Sequence, residues 1–535
     1  MTYSNKTLNN ILTHNKFGSG NFLYAIQDKI ENLDQISIYL DEEITLPGNT
    51  SSLTLSINQL ITLSNCWAAW YENQGVTPKD PVSLYFEDNI QYFIHYLALT
   101  RIGAIPVLVN GSLDPEIIKI FIERMSSKLL ICSDSKKLTL EKTINTSSNN
   151  DSISIISADK VSFDNEIQPK YIHIHQPNDP VLLGHTSGTT GIPKGVQFNH
   201  YGFIYGVKKQ LTKQVGNRIM SALPHSHASA ISILMSSLLR GAIVKIQQRK
   251  DAIELFQDIS SFKPDLFVSF PKVYVDLCRH DLDNYDLSSI GYWLSTGDAN
   301  HEPHIRKLIA QGNHEYKGQK KQGSIFIDNL GSSEFGFAAF RNLHSMSTDH
   351  YNRRIGKPFD WVDVAILSEQ GEALGANTIG LLGVQSDTVT SGYWNNSLLS
   401  EKNRLGGYWL TGDLAYKDSN DVYFHVDRTT DSITTKNGIL YSCLAEELVL
   451  RNFSDIFDCS IFATATDDQF SEAAIEVELL SNVNLDSLLS DINQTLSEND
   501  MPLLTRITEN SSTSNTGVTG KKLKRVMRDS LDIAS

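Results

Sequence analysis

Residues able to do chemistry concentrate in one run, Gly184-His-Thr-Ser-Gly-Thr-Thr-Gly-Ile-Pro-Lys-Gly195. It carries the hydroxyls of Thr186, Ser187, Thr189 and Thr190, the glycines Gly188 and Gly191, and the amine of Lys194. Glycines and small side chains let backbone N–H groups close on a phosphate, hydroxyls add donors, and a lysine adds a mobile positive charge. The spacing is not that of a Walker A loop: Pro193 stands where a glycine is needed, and neither Ser nor Thr follows Lys194. The plainer alternative is a flexible Ser/Thr/Gly linker, which has no need of this order of residues.

Further segments follow in order: Pro224-His-Ser-His227, Leu330-Gly-Ser-Ser-Glu334, Gly380-Leu-Leu with Ser391-Gly-Tyr-Trp394, Tyr408-Trp-Leu-Thr-Gly-Asp413, Asp427-Arg428 with Asp431-Ser-Ile433, and Thr519-Gly-Lys521. With the loop, they resemble the motifs of the adenylate-forming superfamily over nearly the whole chain. That superfamily comprises acyl- and aryl-CoA ligases, peptide-synthetase adenylation domains and luciferases. The resemblance implies ATP-dependent activation of a carboxylic acid as acyl-AMP with release of pyrophosphate, then transfer to a thiol of CoA or of a carrier protein. Two alternatives stay open. One is an amide synthetase that captures the acyl-AMP with an amine. The other is a non-catalytic nucleotide-binding scaffold, against which Lys194, Glu334, Asp413 and Lys521 together argue.

The resemblance also implies roles. The loop Thr186–Gly195 would hold the β- and γ-phosphates. Glu334 would hold Mg2+, a hard cation suited to a carboxylate. Ser333 would reach the α-phosphate, and His227 would stand beside the acid's entry channel. Asp413 would accept both ribose hydroxyls, with Arg428 in support, and Lys521 would bridge the carboxylate and the α-phosphate. Gly297, Asp298, Asp328, Leu330 and Gly331 would line the nucleotide. Each has a plainer reading taken alone: a solvated loop charge for Glu334 and Asp298, a turn for Asp413, a helix cap for His227. Lys522, Lys524, Arg525 and Arg528 read as a solvated basic helix face.

Some positions depart from the family. Leu330 replaces the adenine-stacking tyrosine, and Asp298 replaces a glycine of the adenine loop. In the hinge, Thr430 stands where the family usually carries Asp or Lys, Thr434 where it often carries Lys, and Asn437 where many CoA ligases carry glycine, which points to an atypical second half-reaction. Adenylation domains for α-amino acids place an aspartate just after the Pro-x-x-His segment to pair with the ammonium; Ala228-Ser-Ala-Ile-Ser232 holds no acid, so the resemblance implies an aryl or aliphatic acid and not an α-amino acid.

The elements that must position these groups alternate. Helical spacing at Ser64–Glu72, Gln91–Gly103 and Pro115–Met125 is interleaved with strand-like runs at Pro81–Phe86, Ile105–Val109 and Leu129–Cys132, the pattern of βαβ units. Residues 134–168 are rich in Ser, Asn, Asp and Lys and read as a surface excursion. His173 and His175 alternate as on a strand and read as surface residues without a third metal ligand. The expected fold is α/β: a large N-terminal AMP-binding domain over 1–427 with parallel-type sheets and a β-rich subdomain at about 331–427, then a small mobile α+β domain over 428–535 carrying the lysine.

Composition agrees. The chain has 535 residues, enough for roughly three or four domain-sized units. A net charge of −15 argues against a nucleic-acid partner. No apolar run reaches membrane-spanning length, and the N-terminus lacks the apolar core of a signal peptide. The five cysteines are scattered without CxxC spacing, as in a reduced cytoplasmic protein.

Overall fold

In the computed structural model the described residues are 2–14, 17–144, 153–186, 192–248, 250–464, 470–509 and 524. Short apolar strands and the helices between them build two sheets. In the smaller sheet the strands lie in the order Ser154–Ser157, Leu129–Cys132, Pro81–Tyr85, Ile105–Leu108, Pro180–His185, Gly195–Asn199. All neighbours are parallel except the last pair. Leu129–Cys132 and Ile105–Leu108 are buried at every residue, as expected of parallel strands covered on both faces. The covering helices start on sequence signals. Ile57–Asn73 opens with a reciprocal cap between Ser56 and Gln59, and Pro115–Arg124 opens with Asp114 and a proline in its first turn. The glycine-rich run begins in the strand Pro180–His185 and ends in Gly195–Asn199, the last two strands of this sheet.

The larger sheet has a parallel centre: Ile36–Leu46, Ile243–Ile246, Arg218–Ser221, Leu266–Ser269, Tyr292–Thr296 and Ile325–Leu330. It continues through antiparallel Phe340–His344 into Arg354–Pro358, Tyr423–Arg428, Tyr408–Lys417, Gly380–Gln385 and Asp363–Leu367. The β-rich stretch is thus hydrogen-bonded to the parallel strands. After Arg428 a three-stranded sheet, Ile456–Thr464, Glu472–Leu479 and Arg506–Glu509, packs with helices Ser442–Asn452 and Leu485–Glu498. It has its own apolar cluster around Ile433, Val449, Ile461, Ile475 and Ile492.

Residues 134–168 are not a bare excursion. They form a helix, Asp134–Ile144, and the strand Ser154–Ser157, which pairs in parallel with Leu129–Cys132. The helix was hidden because its sequence is polar nearly all round, with Leu140 as its buried anchor. His173 and His175 lie on irregular backbone and not on a strand. His175 is buried, stacks on His200 at 4.6 Å and sits 2.8 Å from the carbonyl of Thr100. Asp179 supplies the third group: His173, His175 and Asp179 each offer one ligand atom within 4.8 Å of the others.

The five cysteines are free thiols. Among the described residues, no helix is long and apolar enough to cross a membrane.

Candidate active site

A cavity of about 430 Å³ opens where the C-terminal ends of Tyr292–Thr296 and Ile325–Leu330 meet the strand Tyr408–Lys417 and the start of helix Ala228–Arg240. That size suits a small-molecule ligand. Its walls include Thr186, His227, Gly297, Asp298, Asp328, Leu330, Gly331, Ser333, Glu334, Asp413 and Arg428, so the structure gathers these expected residues around one space. Lys194 adjoins it through Tyr393. Ser187, Gly188, Thr189, Thr190, Gly191 and Lys521 lie outside the described residues.

The neck of the phosphate-type loop is tied. Thr186 N–H donates to the Lys194 carbonyl at 3.2 Å, and Lys194 N–H donates to Thr186 Oγ1 at 3.4 Å. The Ser391–Trp394 segment is laced to the strand that follows. Val196 bridges Tyr393, Gln197 N–H donates to the Gly392 carbonyl at 3.2 Å, and Trp394 N–H donates to the Gly195 carbonyl at 2.8 Å. A Cβ at 195 would come within 2.3 Å of Met125 Sδ, so a larger residue there would require the Met125 side chain to move. This lacing puts the Tyr393 ring 5.1 Å from Lys194 Nζ and its hydroxyl 2.8 Å from Glu334 Oε1. Burial and the Glu334 charge push the Tyr393 phenol up, so it stays a donor. Glu334 keeps its second oxygen without a described partner at the cavity wall. That suits Mg2+, which takes one or two carboxylates and fills its shell with phosphate oxygens and water.

His227 is both helix cap and cavity wall. Its Nδ1 accepts from Ser229 N–H at 3.2 Å, capping Ala228–Arg240, and its Nε2 faces Ser333 Oγ at 3.5 Å. The two readings of this histidine are therefore compatible. An acceptor Nδ1 places the ring proton on Nε2, toward Ser333.

Asp413 sits at the end of a buried polar chain. Arg428 Nη1 approaches its Oδ1 at 3.1 Å and His425 Nε2 at 3.5 Å. Burial alone would raise the Asp413 carboxyl, but Arg428 and His425 outweigh it and hold it well below the usual carboxylate range. Arg353 Nη2 lies 2.8 Å from His425 Nδ1. A guanidinium only donates, so Nδ1 accepts and the His425 proton points at Asp413. Asp328 accepts from Asn300 Nδ2 at 2.7 Å and from the Tyr351 hydroxyl at 3.4 Å, and burial pushes its carboxyl up to about 6. Asp298 is exposed and accepts from Ala299 N–H at 3.0 Å. Gly297 has φ +94°, and a Cβ there would meet the Phe270 ring at 2.9 Å, so the loop beside the cavity requires glycine.

Arg353 and His425 escaped the sequence reading. The available signal for His425 was its place on the strand that also carries Asp427 and Arg428. Lys524 is not the solvated charge that its basic run suggests. Its Nζ lies 2.7 Å from Glu446 and donates to Ser442 Oγ at 2.6 Å, in a site that also holds Asp427. Asn437 is exposed in the turn between Ile433–Thr435 and Gly438–Leu440 and is not part of the cavity wall.

The fold and this site define an adenylate-forming enzyme. The chain belongs to the AMP-binding enzyme family, whose model matches residues 43–394. It is 33% identical to a 3-aminoavenalumate diazotase of Streptomyces sp., over 97% of each chain. It is 24% identical to 4-coumarate–CoA ligase 2 of Nicotiana tabacum, over 78% of each. Among solved structures, O-succinylbenzoate CoA synthetase from Bacillus subtilis, in complex with ATP and magnesium, superposes with a TM-score of 0.75 at 20% identity, over 92% of this chain and 96% of that one.

Proposed function

We propose that the enzyme activates an oxyacid as its adenylate and passes the activated group to a primary aryl amine. The observation that carries this is the 33% identity to a diazotase over 97% of both chains, against 24% over 78% for a CoA ligase. Diazotising an aryl amine adds one nitrogen at the oxidation level of nitrous acid. In an adenylate-forming site that nitrogen enters as nitrite, whose oxygen is nucleophilic as a carboxylate oxygen is. The oxygen attacks the α-phosphorus of ATP, the bond to the bridging oxygen breaks, and pyrophosphate leaves. The amine nitrogen then attacks the nitrosyl nitrogen, AMP departs with the N–O bonding pair, and the amine gives up a proton. The resulting N-nitrosamine tautomerises to the diazohydroxide and loses hydroxide, leaving the diazonium ion. No oxidant or reductant is consumed.

The chain's residues divide this work by positioning and charge. Lys194 and the loop Thr186–Gly195 hold the β- and γ-phosphates. Glu334, braced by Tyr393, holds Mg2+, which neutralises phosphate charge when bound. Ser333 and His227 flank the α-phosphate. Asp413 receives the ribose hydroxyls, kept ionised by Arg428 and oriented by His425. Asp298, Gly297, Asp328, Leu330 and Gly331 bound the base. Lys521, on the segment 428–535, bridges the oxyanion and the α-phosphate and withdraws before transfer.

A second reading, activation of an aromatic carboxylic acid and transfer to the thiol of CoA, is favoured by the relation to 4-coumarate–CoA ligase. One experiment separates them. The enzyme is given ATP, Mg2+ and an amino-substituted aryl acid near neutral pH, with 15N-nitrite or with CoA. Nitrite-dependent AMP release, with a 15N-labelled azo dye on adding an electron-rich arene, is the expected result. A CoA thioester formed without nitrite would overturn it.

A further inference from the structure

The cavity does not end at the adenylation residues. It runs on beneath helix Ala228–Arg240, whose Ser229, Ser232, Ile233 and Ser236 recur at helical spacing and face it. Its apolar floor is one face of the parallel sheet, with Val268, Leu294 and Ile327 among its residues. At about 1.5 Å per residue, that helix covers about 16 Å from Ser229 to Arg240, more than phosphate chemistry alone needs. The charges are sorted along this space. Its carboxylates, Asp298, Asp328, Glu334 and Asp413, all belong to the nucleotide end. Away from Arg353 and Arg428, the same space is lined by the cations Lys213, Arg240 and Arg341.

Arg341 stands on strand Phe340–His344, in register with Asn329 on Ile325–Leu330. Asn329 is one residue before the Leu330–Glu334 motif, so Arg341 looks onto the same space as Ser333. Its guanidinium is held in place. Nε donates to Asn329 Oδ1 at 3.2 Å, Nη1 donates to Gln210 Oε1 at 3.2 Å, and the group lies 5.0 Å from the centre of the Phe359 ring. Both hydrogen-bond partners are neutral. Among the described residues no carboxylate pairs with Arg341, and Nη2 has no acceptor. Burial pushes its pKa down, with no neighbouring charge opposing the shift. By contrast, Arg353 and Arg428 at the nucleotide end sit among carboxylates. A half-buried cation with a fixed fork and no internal counter-ion is built for an anion, and a planar carboxylate matches the fork.

We infer that Arg341 binds a carboxylate carried by the acceptor, making the acceptor an amino-substituted aromatic carboxylic acid whose own carboxylate is an anchor and is never activated. The aryl ring lies in the apolar channel, its acid end at Arg341 and its amine toward Ser333 and the adenylate. Asn329 and Gln210 are positioning residues that aim the guanidinium. This rests on the amine-acceptor reading above, and it reverses the role that the carboxylate plays in the thiol-ligase reading.

The test compares an amino-aryl carboxylic acid with its primary carboxamide, in wild type, R341Q and R341K, with folding checked by thermal melting. For wild type the acid should show the lower KM. In R341Q the acid's KM should rise about 10- to 100-fold, the scale of a lost charged hydrogen bond, while the carboxamide's KM stays within about two-fold. R341K keeps charge without the fork and should fall between. Equal loss for acid and carboxamide would overturn the Arg341 assignment and leave the amine-acceptor reading standing. A separate arm measures ATP–pyrophosphate exchange with the amino-aryl acid alone and with nitrite alone. Exchange driven by the acid without nitrite would overturn the amine-acceptor reading itself, whatever the Arg341 variants show.

Discussion

The hydroxyl of Tyr393 donates to Glu334 Oε1 at 2.8 Å, and the Tyr393 ring lies 5.1 Å from Lys194 Nζ. One side chain from the Ser391–Trp394 turn thus joins the cation of the glycine-rich loop to the proposed metal carboxylate. The backbone repeats the link, since Thr390 N–H donates to the Glu334 carbonyl at 2.7 Å. If Glu334 holds Mg2+, Tyr393 decides which oxygen is free to do so. Y393F should fold normally, raise the Mg2+ concentration needed for half-maximal pyrophosphate release several-fold, and lower kcat by about 10-fold, the worth of one hydrogen bond to a charged group. Titrating Mg2+ at saturating ATP checks this. An unchanged Mg2+ requirement would place the cation elsewhere.

Asp413 and Arg428 make a second testable pair. The carboxylate is buried and held ionised by Arg428 at 3.1 Å, with His425 at 3.5 Å. D413N keeps the shape but loses the charge, so the amide meets the Arg428 and His425 donors with only one oxygen. The KM for ATP should rise about 10- to 100-fold, with little change in the KM for the amine. A ribose-independent substrate, inorganic triphosphate in binding competition, should not distinguish D413N from wild type.

Lys524 and Lys521 are three residues apart and should behave oppositely. Lys524 Nζ is 2.7 Å from Glu446 in a buried site shared with Asp427. Burial would depress its ammonium, but the surrounding carboxylates outweigh this and raise it. Removing one partner of such a group leaves buried charge uncompensated, at a cost of about 3–5 kcal/mol. K524M should therefore lower the melting temperature and expose the segment after Arg428 to protease. K521A should melt like wild type yet release no pyrophosphate, while still consuming a supplied adenylate. Equal loss of both half-reactions in K521A would contradict the proposed division of labour.

Much of this was legible in the sequence because local pattern and geometry agree. The run Gly184–Gly195 declares a loop between two strands, and Leu330–Glu334 follows a buried strand directly. What was not legible depends on contacts between distant segments. Tyr393 belongs to a visible motif, yet its link to Glu334 needs the turn laced onto Val196, which no local pattern encodes. Arg353 sits in a turn that reads as surface, and it is buried because Asp328, His425 and Glu447 surround it. Lys524 lies in a basic run that looks solvated, and only the Glu446 and Asp427 site, assembled from another element, removes it from water. Arg341 carries no motif at all. Helix Asp134–Ile144 lacked an apolar stripe, so its existence follows from the strand after it, which needed a crossover to pair in parallel.

The buried histidines should make stability fall in acid. Burial pushes His95 down to about 3, and His175, His225 and His344 down to about 4, from an ordinary value of 6.5. A histidine depressed in the fold contributes stability that is present above its unfolded pKa and is lost as pH falls toward the folded one, so the window runs from about 6.5 down to 4. Asp328 acts in the opposite sense. Its folded value of about 6 lies above the ordinary 3.8, so its contribution is present at low pH and is lost as pH rises from about 4 to 6. At pH 5, among these five groups, the unfolded chain holds more extra protons on the four histidines than it lacks on the aspartate. Each proton is worth about 1.4 kcal/mol per pH unit. The unfolding free energy should therefore climb steeply between pH 4.5 and 6 and flatten above 6.5. D328N should steepen the climb, because it removes the opposing group. Denaturant titrations of both proteins across pH 4.5–7.5 measure this, and a slope that D328N leaves unchanged would mean that Asp328 is ionised throughout.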